Sequence, residues 1–272
     1  MKLRKTKEDR MRQFTCNLRK VLTIISVSVL LLLCVCARAF AENSESLVAI
    51  AFDDAHRSFP FVVEQMRQRG LVGTVYVPTG LVGKYDFHTT WDALEKARDG
   101  GWEIGNHSAT HPDMTKMSPE SVADEMDQSI RDLEAHGMHA TSFAAPFGEF
   151  NDEILKIVKR RFSMNRMAWG EPVIQTENVD VWRVPAFEPS HVGTTYVAME
   201  TTLQKAIDAR GLVIVLFHKV AISEADSIDR FTVNGGDFTA FLQRISELRS
   251  KGSIRCVTVS KGIAEIVERS QK

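Results

Sequence analysis

Residues 47–61 read LVAIAFDDAHRSFPF, an apolar run closed by two neighbouring carboxylates, Asp53 and Asp54. The run has the length and composition of a buried strand. Adjacent negative charges at the edge of a core repel each other, so their presence there needs a reason. Downstream, short apolar runs alternate with amphipathic ones: FPFVVEQMRQRG (59–70), VGTVYVP (72–78), TTWDALEKARDGG (89–101) and WEIGNHS (102–108). This is strand, helix, strand, helix, strand.

The alternation continues to the end of the chain. A helix is predicted at 118–137, with Ser118 as N-cap, Pro119 at its first position and Gly137 as its stop. TSFAAPFG (141–148) reads as a strand, NDEILKIVKRR (151–161) as a helix, and FSMNRMAWG (162–170) and VDVWRVPAF (179–187) as strand-like. A helix at 194–211, the very apolar strand LVIVLFHKV (212–220), a helix at 236–252 and a strand at 254–260 complete the order. The polar stretch 219–236 reads as a surface loop over one rim. The fold class expected is α/β, a single distorted (β/α) barrel of seven or eight parallel strands.

The chain has 272 residues, 44% of them hydrophobic and 25% charged, the composition of a globular protein. A basic stretch at 1–20 runs into the apolar VLTIISVSVLLLLCVCA (21–37), followed by Ala39 and Ala41 in a small-residue cleavage pattern. Residues 1–41 are therefore read as a signal peptide or, if retained, an N-terminal membrane anchor built on residues 21–37. Either reading makes the protein exported: periplasmic, secreted or attached to the cell envelope. Residues 42–272 form the working domain, with 25 basic and 33 acidic residues and a net charge of -8. A domain that acidic is a poor partner for nucleic acid. Cys256 is its lone cysteine, so the domain must hold itself together by its core.

In a parallel barrel, working residues lie where strands end. Asp53 and Asp54 end the first strand, His107 ends the third, and His218 ends the most apolar strand. His107 and His111 are four residues apart, a spacing that on a helical turn places both imidazoles on one face. Two histidines with Asp54 make a common three-ligand set for a catalytic zinc, with a position left for water. Asp53 then stays free to take a proton from that water. The competing readings are two unrelated surface histidines, aspartates that cap the next helix or pair with Arg57, and a core histidine at 218. His56 and His88 are kept as rim contacts, and Trp169, Trp182 and Phe187 as an aromatic wall or as core.

AFDDA (51–55), NHSATH (106–111), FAAPFG (143–148) and VLFH (215–218), in this order on this βα pattern, resemble the successive motifs of the polysaccharide deacetylase (NodB-homology) family of carbohydrate esterases. Trp91 and Glu103 resemble that family's approach to its histidine motif. The resemblance implies Asp53 as catalytic base, Asp54, His107 and His111 as ligands of a divalent metal, zinc foremost, and His218 as general acid. It implies the backbone N–H of Phe147, at the family's usual tyrosine, as an oxyanion donor. The implied activity is hydrolysis of N-acetyl groups on an N-acetylated polysaccharide or oligosaccharide, of cell-wall or exopolysaccharide type. A membrane is a partner only if the leader is retained.

One position departs from the pattern. Ala144 stands where the family often carries an arginine that steers the catalytic aspartate, and Arg183 or Lys219 is the expected substitute. Two other readings stay open: a carbohydrate-binding member with impaired turnover, and a deacetylase of O-acetyl esters or small-molecule amides.

Overall fold

The computed structural model describes residues 45–168, 173–174, 179–189, 196–223, 226 and 229–271. The expected leader and Trp169 lie outside the described residues. Among the described residues no helix is long and apolar enough to cross a membrane.

The strands are β1 (Ser46–Phe52), β2 (Thr74–Val77), β3 (Glu103–Asn106), β4 (Ser142–Ala144), β5 (Met164–Arg166), β6 (Val173–Ile174), β7 (Leu212–Phe217), β8 (Lys219–Ala221), β9 (Thr232–Asn234) and β10 (Ile254–Val257). The helices are α1 (Phe59–Arg67), α2 (Trp91–Asp99), α3 (Pro119–Ala135), α4 (Asp152–Val158), α5 (Tyr196–Ala209), α6 (Gly235–Ser250) and α7 (Val259–Ser270). Eight strands form one sheet in the order β5-β4-β3-β2-β1-β7-β6, with β10 also paired to β1. Seven of them run parallel; the short β6 runs antiparallel to β7.

The expected strand at 179–187 is instead an irregular extended segment that closes the ring. Val184 bridges Arg166 of β5, and Phe187 bridges Val215 of β7. Met167 N donates to Val184 O at 2.7 Å and Leu216 N to Phe187 O at 2.8 Å. Pro185, which lacks an N–H, lies between the two bridges. The stretch read as a surface loop holds β8 and β9, which pair with each other in parallel. Helix α7 is an element that the sequence reading did not anticipate.

Side chains of a strand alternate between faces, and both central strands obey this. Val48, Ile50 and Phe52 of β1 and Val213, Val215 and Phe217 of β7 pack in one cluster, together with Phe59, Val62 and Met66 of α1. Leu47, Ala49 and Ala51, with Leu212, Ile214 and Leu216, pack in a second, which also takes Tyr76, Ala144 and Met164. Val259, Ile263 and Ile266 of α7 join that second, inner face. Glu103 fixes the helix there, accepting from Thr74, Ser142 and Ser260 hydroxyls and from the Ser260 amide.

This parity aims the site. Continuing past the strand ends, Asp53 and His218 share the inner face of Ala51 and Leu216, and Arg166 shares that of Met164. The register brings these ends level: Phe52 pairs with Phe217, Val77 with Asn106, and Ala144 with Arg166. Gly105 is required on β3, because a Cβ there would lie 2.5 Å from the ring of Tyr76.

Candidate active site

Strand β1 stops at Phe52, and the chain turns at once: Asp54 has φ 66° and Ala55 φ 46°. That left-handed turn, unusual for residues with a side chain, lets both aspartates reach the rim. Asp53 is buried and its amide donates to Phe217 O at 2.9 Å. Asp54 is the more open of the two.

His107 and His111 do not sit on a helical turn. The segment between them is a loop with left-handed residues at Ser108 (φ 64°) and His111 (φ 59°). Glu125 of α3 shapes it, accepting from the amides of Ala109 and Thr110 and from the Thr110 hydroxyl. Those amides are bonded to a carboxylate rather than to one another, which is why the four-residue spacing does not make a helix here. The two imidazoles converge all the same. Asp54 Oδ1 lies 3.6 Å from His107 Nε2 and 3.2 Å from His111 Nε2, and one donor atom from each residue lies within 4.8 Å of the others.

The donor chemistry fits a divalent cation. His107 Nδ1 lies 2.7 Å from the carbonyl oxygen of Ala144, which can only accept, so Nδ1 carries the proton and Nε2 offers its lone pair inward. Burial pushes the carboxyl of Asp54 up, but hydrogen bonds and charge from His107 and His111 outweigh it and hold the group well below the usual carboxylate range. An ionised oxygen beside two imidazole nitrogens is a common zinc donor set.

Asp53 is paired elsewhere. The Nη2 of Arg166 donates to both of its carboxylate oxygens, 2.6 Å from Oδ2, and the arginine side chain is 1% exposed. The guanidinium also lies over the ring of Tyr76, 4.7 Å from its centroid. Arg166 thus does for Asp53 what Arg183 or Lys219 was expected to do. Arg183 is exposed and pairs with Asp152 and Asp180, while Lys219 pairs with Asp229 at 2.6 Å. Position 166 is the register partner of Ala144, so the guanidinium comes from one strand further along.

His218 also approaches Asp53, its Nε2 4.0 Å from Asp53 Oδ2. Its Nδ1 lies 2.9 Å from Oε1 of Glu188, a buried carboxylate on the closing segment. Burial pulls the imidazole pKa down, but Glu188, Asp53 and Asp54 outweigh it and raise it. Glu188 follows an apolar run just as Asp53 does, the one signal that could have found it.

These groups line a cavity of about 300 Å³ that also takes in Phe147, Gly148 and Ala168. Phe147 has φ 59°, is 57% exposed and packs edge-on against His111 at 4.7 Å. Its amide donates to no group among the described residues. His56 and His88 pair with each other across their loops and lie off this cavity. His56, next to Phe87, is lowered to about 4 by burial and by the charges of Lys219 and Arg57. Trp182 packs near the cluster of α3 and α4, and Phe187 joins the outer cluster, so neither forms the aromatic wall.

A family model described as polysaccharide deacetylase matches residues 41–161, a stretch that holds Asp53, Asp54, His107, His111 and Phe147. Over residues 41–161 the chain is thus similar to the polysaccharide deacetylase family. The chain is 26% identical over 123 residues to the peptidoglycan-N-acetylmuramic acid deacetylase PdaA of Bacillus subtilis, covering 44% of this chain and 45% of that one. It spans less than half the length of the curated relatives it matches. Among solved structures, a substituted form of the peptidoglycan deacetylase PdaC of Bacillus subtilis superposes with a TM-score of 0.56 at 17% identity, covering 84% of this chain and 94% of that one. A family 4 carbohydrate esterase pseudoenzyme of Bacillus anthracis superposes at 0.53 and 18% identity, covering 81% and 66%. The fold is thus that of the polysaccharide deacetylases, and it extends beyond the matched segment to the strands that carry Arg166 and His218.

Breaking a buried ion pair leaves one charge uncompensated. Arg166→Met should therefore lower the unfolding free energy in urea by about 3–5 kcal/mol. Adding Asp53→Asn to it should restore most of the loss, whereas additive losses would mean that the two side chains do not depend on each other.

Proposed function

We propose that the protein is an exported, metal-dependent hydrolase that removes N-acetyl groups from sugars of a polysaccharide, with zinc as its cation. The observation that carries this reading is the placement of Asp53. It stands 4.0 Å from the Nε2 of a donor-set imidazole, His107, and 4.0 Å from that of His218, and a buried guanidinium holds it. One carboxylate is therefore kept off the donor set and close to both imidazoles.

A cation held by Asp54, His107 and His111 would supply Lewis acidity for the acetyl carbonyl and lower the pKa of the attacking water. Asp53 takes the proton of that water, and Arg166 positions and neutralises the carboxylate from behind. The free amide of Phe147 is offered to the oxygen that gains charge as the carbonyl is attacked. His218, kept protonated by Glu188, gives its proton to the departing amine. An ester needs that last step less, since an alkoxide leaves more readily than an amide anion; a histidine braced by a buried carboxylate supports the amide. The relatives named for peptidoglycan and xylan support a polysaccharide as substrate. Export rests on the pattern of residues 1–41. A binding-only role was suggested by Ala144, and Arg166 removes that motive.

The test measures metal content and acetate released from N-acetylglucosamine oligomers by the full chain. Asp53→Asn should retain the metal and lose at least about a hundredfold in kcat. His107→Ala should lose the metal. A parent chain that holds metal yet releases no acetate from any N-acetylated glycan would favour the binding role, and loss of metal in Asp53→Asn would contradict the division of labour between the aspartates.

The raised pKa of His218 also fixes a direction. The imidazolium is the working acid, so kcat should fall as pH rises through that pKa. Glu188→Gln removes a stabilising negative charge and should move this alkaline limb to lower pH. A limb that stays in place in the variant would assign it to another group.

A further inference from the structure

The cavity has a cationic side that the chemistry above does not use. Lys219 and Arg230 line it together with the rings of Phe87 and Phe231. Lys219 is paired with Asp229, while Arg230 makes no ion pair among the described residues. The guanidinium of Arg230 rests 4.5 Å from the centroid of the Phe231 ring, and that ring lies 5.1 Å from the imidazole of His218. One aromatic ring therefore separates an unpaired guanidinium from the group proposed to protonate the leaving amine.

Arg230 is carried on a pinned turn. Phe231 N donates to Asp229 Oδ1 at 2.9 Å, Thr232 Oγ1 to the same oxygen at 2.8 Å, and Thr232 N to Asp229 O at 3.0 Å. Lys219 N then binds Phe231 O at 3.1 Å, which ties the turn to the strand beginning directly after His218. The backbone under the guanidinium is preorganised, so little ordering cost falls on binding there.

A neutral sugar needs no such cation. An anionic one would, because the site holds Asp53, Asp54 and Glu188 and the domain carries a net negative charge. We infer that Arg230 is a specificity residue that recognises a carboxylate on the sugar bound in the cavity or on its neighbour, with Lys219 as a weaker second cation. The planar fork of a guanidinium matches a carboxylate through two parallel hydrogen bonds, and Phe231 holds the fork from its face. The inference rests on the deacetylase reading and deepens it to acidic, N-acetylated glycans. Two kinds of glycan offer that carboxylate, a lactyl ether and a C6 uronate.

The experiment uses the full chain with its metal and four substrates: an N-acetylated glycan bearing the lactyl ether, one bearing the uronate, and the carboxamide of each. The parent should favour at least one acid over its amide by about tenfold in kcat/KM, the scale of a charge-assisted hydrogen bond. The preference should shrink as salt is raised, and Arg230→Gln should bring the ratio close to one. The arm that shows the preference identifies which carboxylate is read. An equal rate on acid and amide in both arms, or a preference that survives Arg230→Gln, overturns the inference. Failure of the deacetylase reading looks different: no acetate from any of the four. In that event calorimetric affinities for the same pairs decide, with an acid preference abolished by Arg230→Gln supporting the subsite and equal affinities overturning it.

Discussion

Asp53 and Arg166 form an ion pair with both side chains almost wholly withdrawn from water. Neither charge is tolerable alone at that depth, and the pair repays its desolvation only if geometry is held closely. Strand parity and register supply the geometry. Position 53 continues the inner face of β1, position 166 lies on the inner face of β5, and the closing segment at Val184 and Phe187 draws β5 and β7 into one ring. The arrangement holds both carboxylate oxygens of Asp53 on Arg166. It also frees position 144 for a small residue, whose carbonyl is used to orient His107.

Around that pair the backbone adopts conformations that side chains disfavour. Asp54, Ala55, Ser108, His111 and Phe147 all have positive φ, and Arg210 is the one such non-glycine residue described elsewhere in the domain. Each costs on the order of a kilocalorie or more, and Asp54, His111 and Phe147 among them line the cavity. Strain of this kind persists where surrounding contacts dictate the conformation, as Glu125 does for the histidine loop.

Much of this was legible in one dimension, and the limits have physical causes. The strands β1 and β7 are long, apolar runs, and α3 begins at Ser118 and stops before Gly137 as its caps dictate. Asp53, Asp54, His107, His111 and His218 stand out because each ends or follows an apolar strand. Arg166 did not, because β5 is three residues of polar-looking sequence, Met-Asn-Arg, whose burial comes only from neighbours far along the chain. Arg183 looked the better candidate from the sequence, but the chain places it outside the ring. Helix α7 starts two residues after β10 ends, so its amphipathic pattern merged with the strand. β8 and β9 are too short and too widely separated in sequence to show a period.

The central claim is that the two aspartates are divided between cation and base, and diffraction at the zinc absorption edge tests it directly. In crystals of the zinc-loaded full chain, the account predicts an anomalous peak about 2.0–2.2 Å from Nε2 of His107, Nε2 of His111 and one oxygen of Asp54. Asp53 should lie outside that shell, still on Arg166. A peak with Asp53 among its ligands, or one lacking either imidazole, would contradict it.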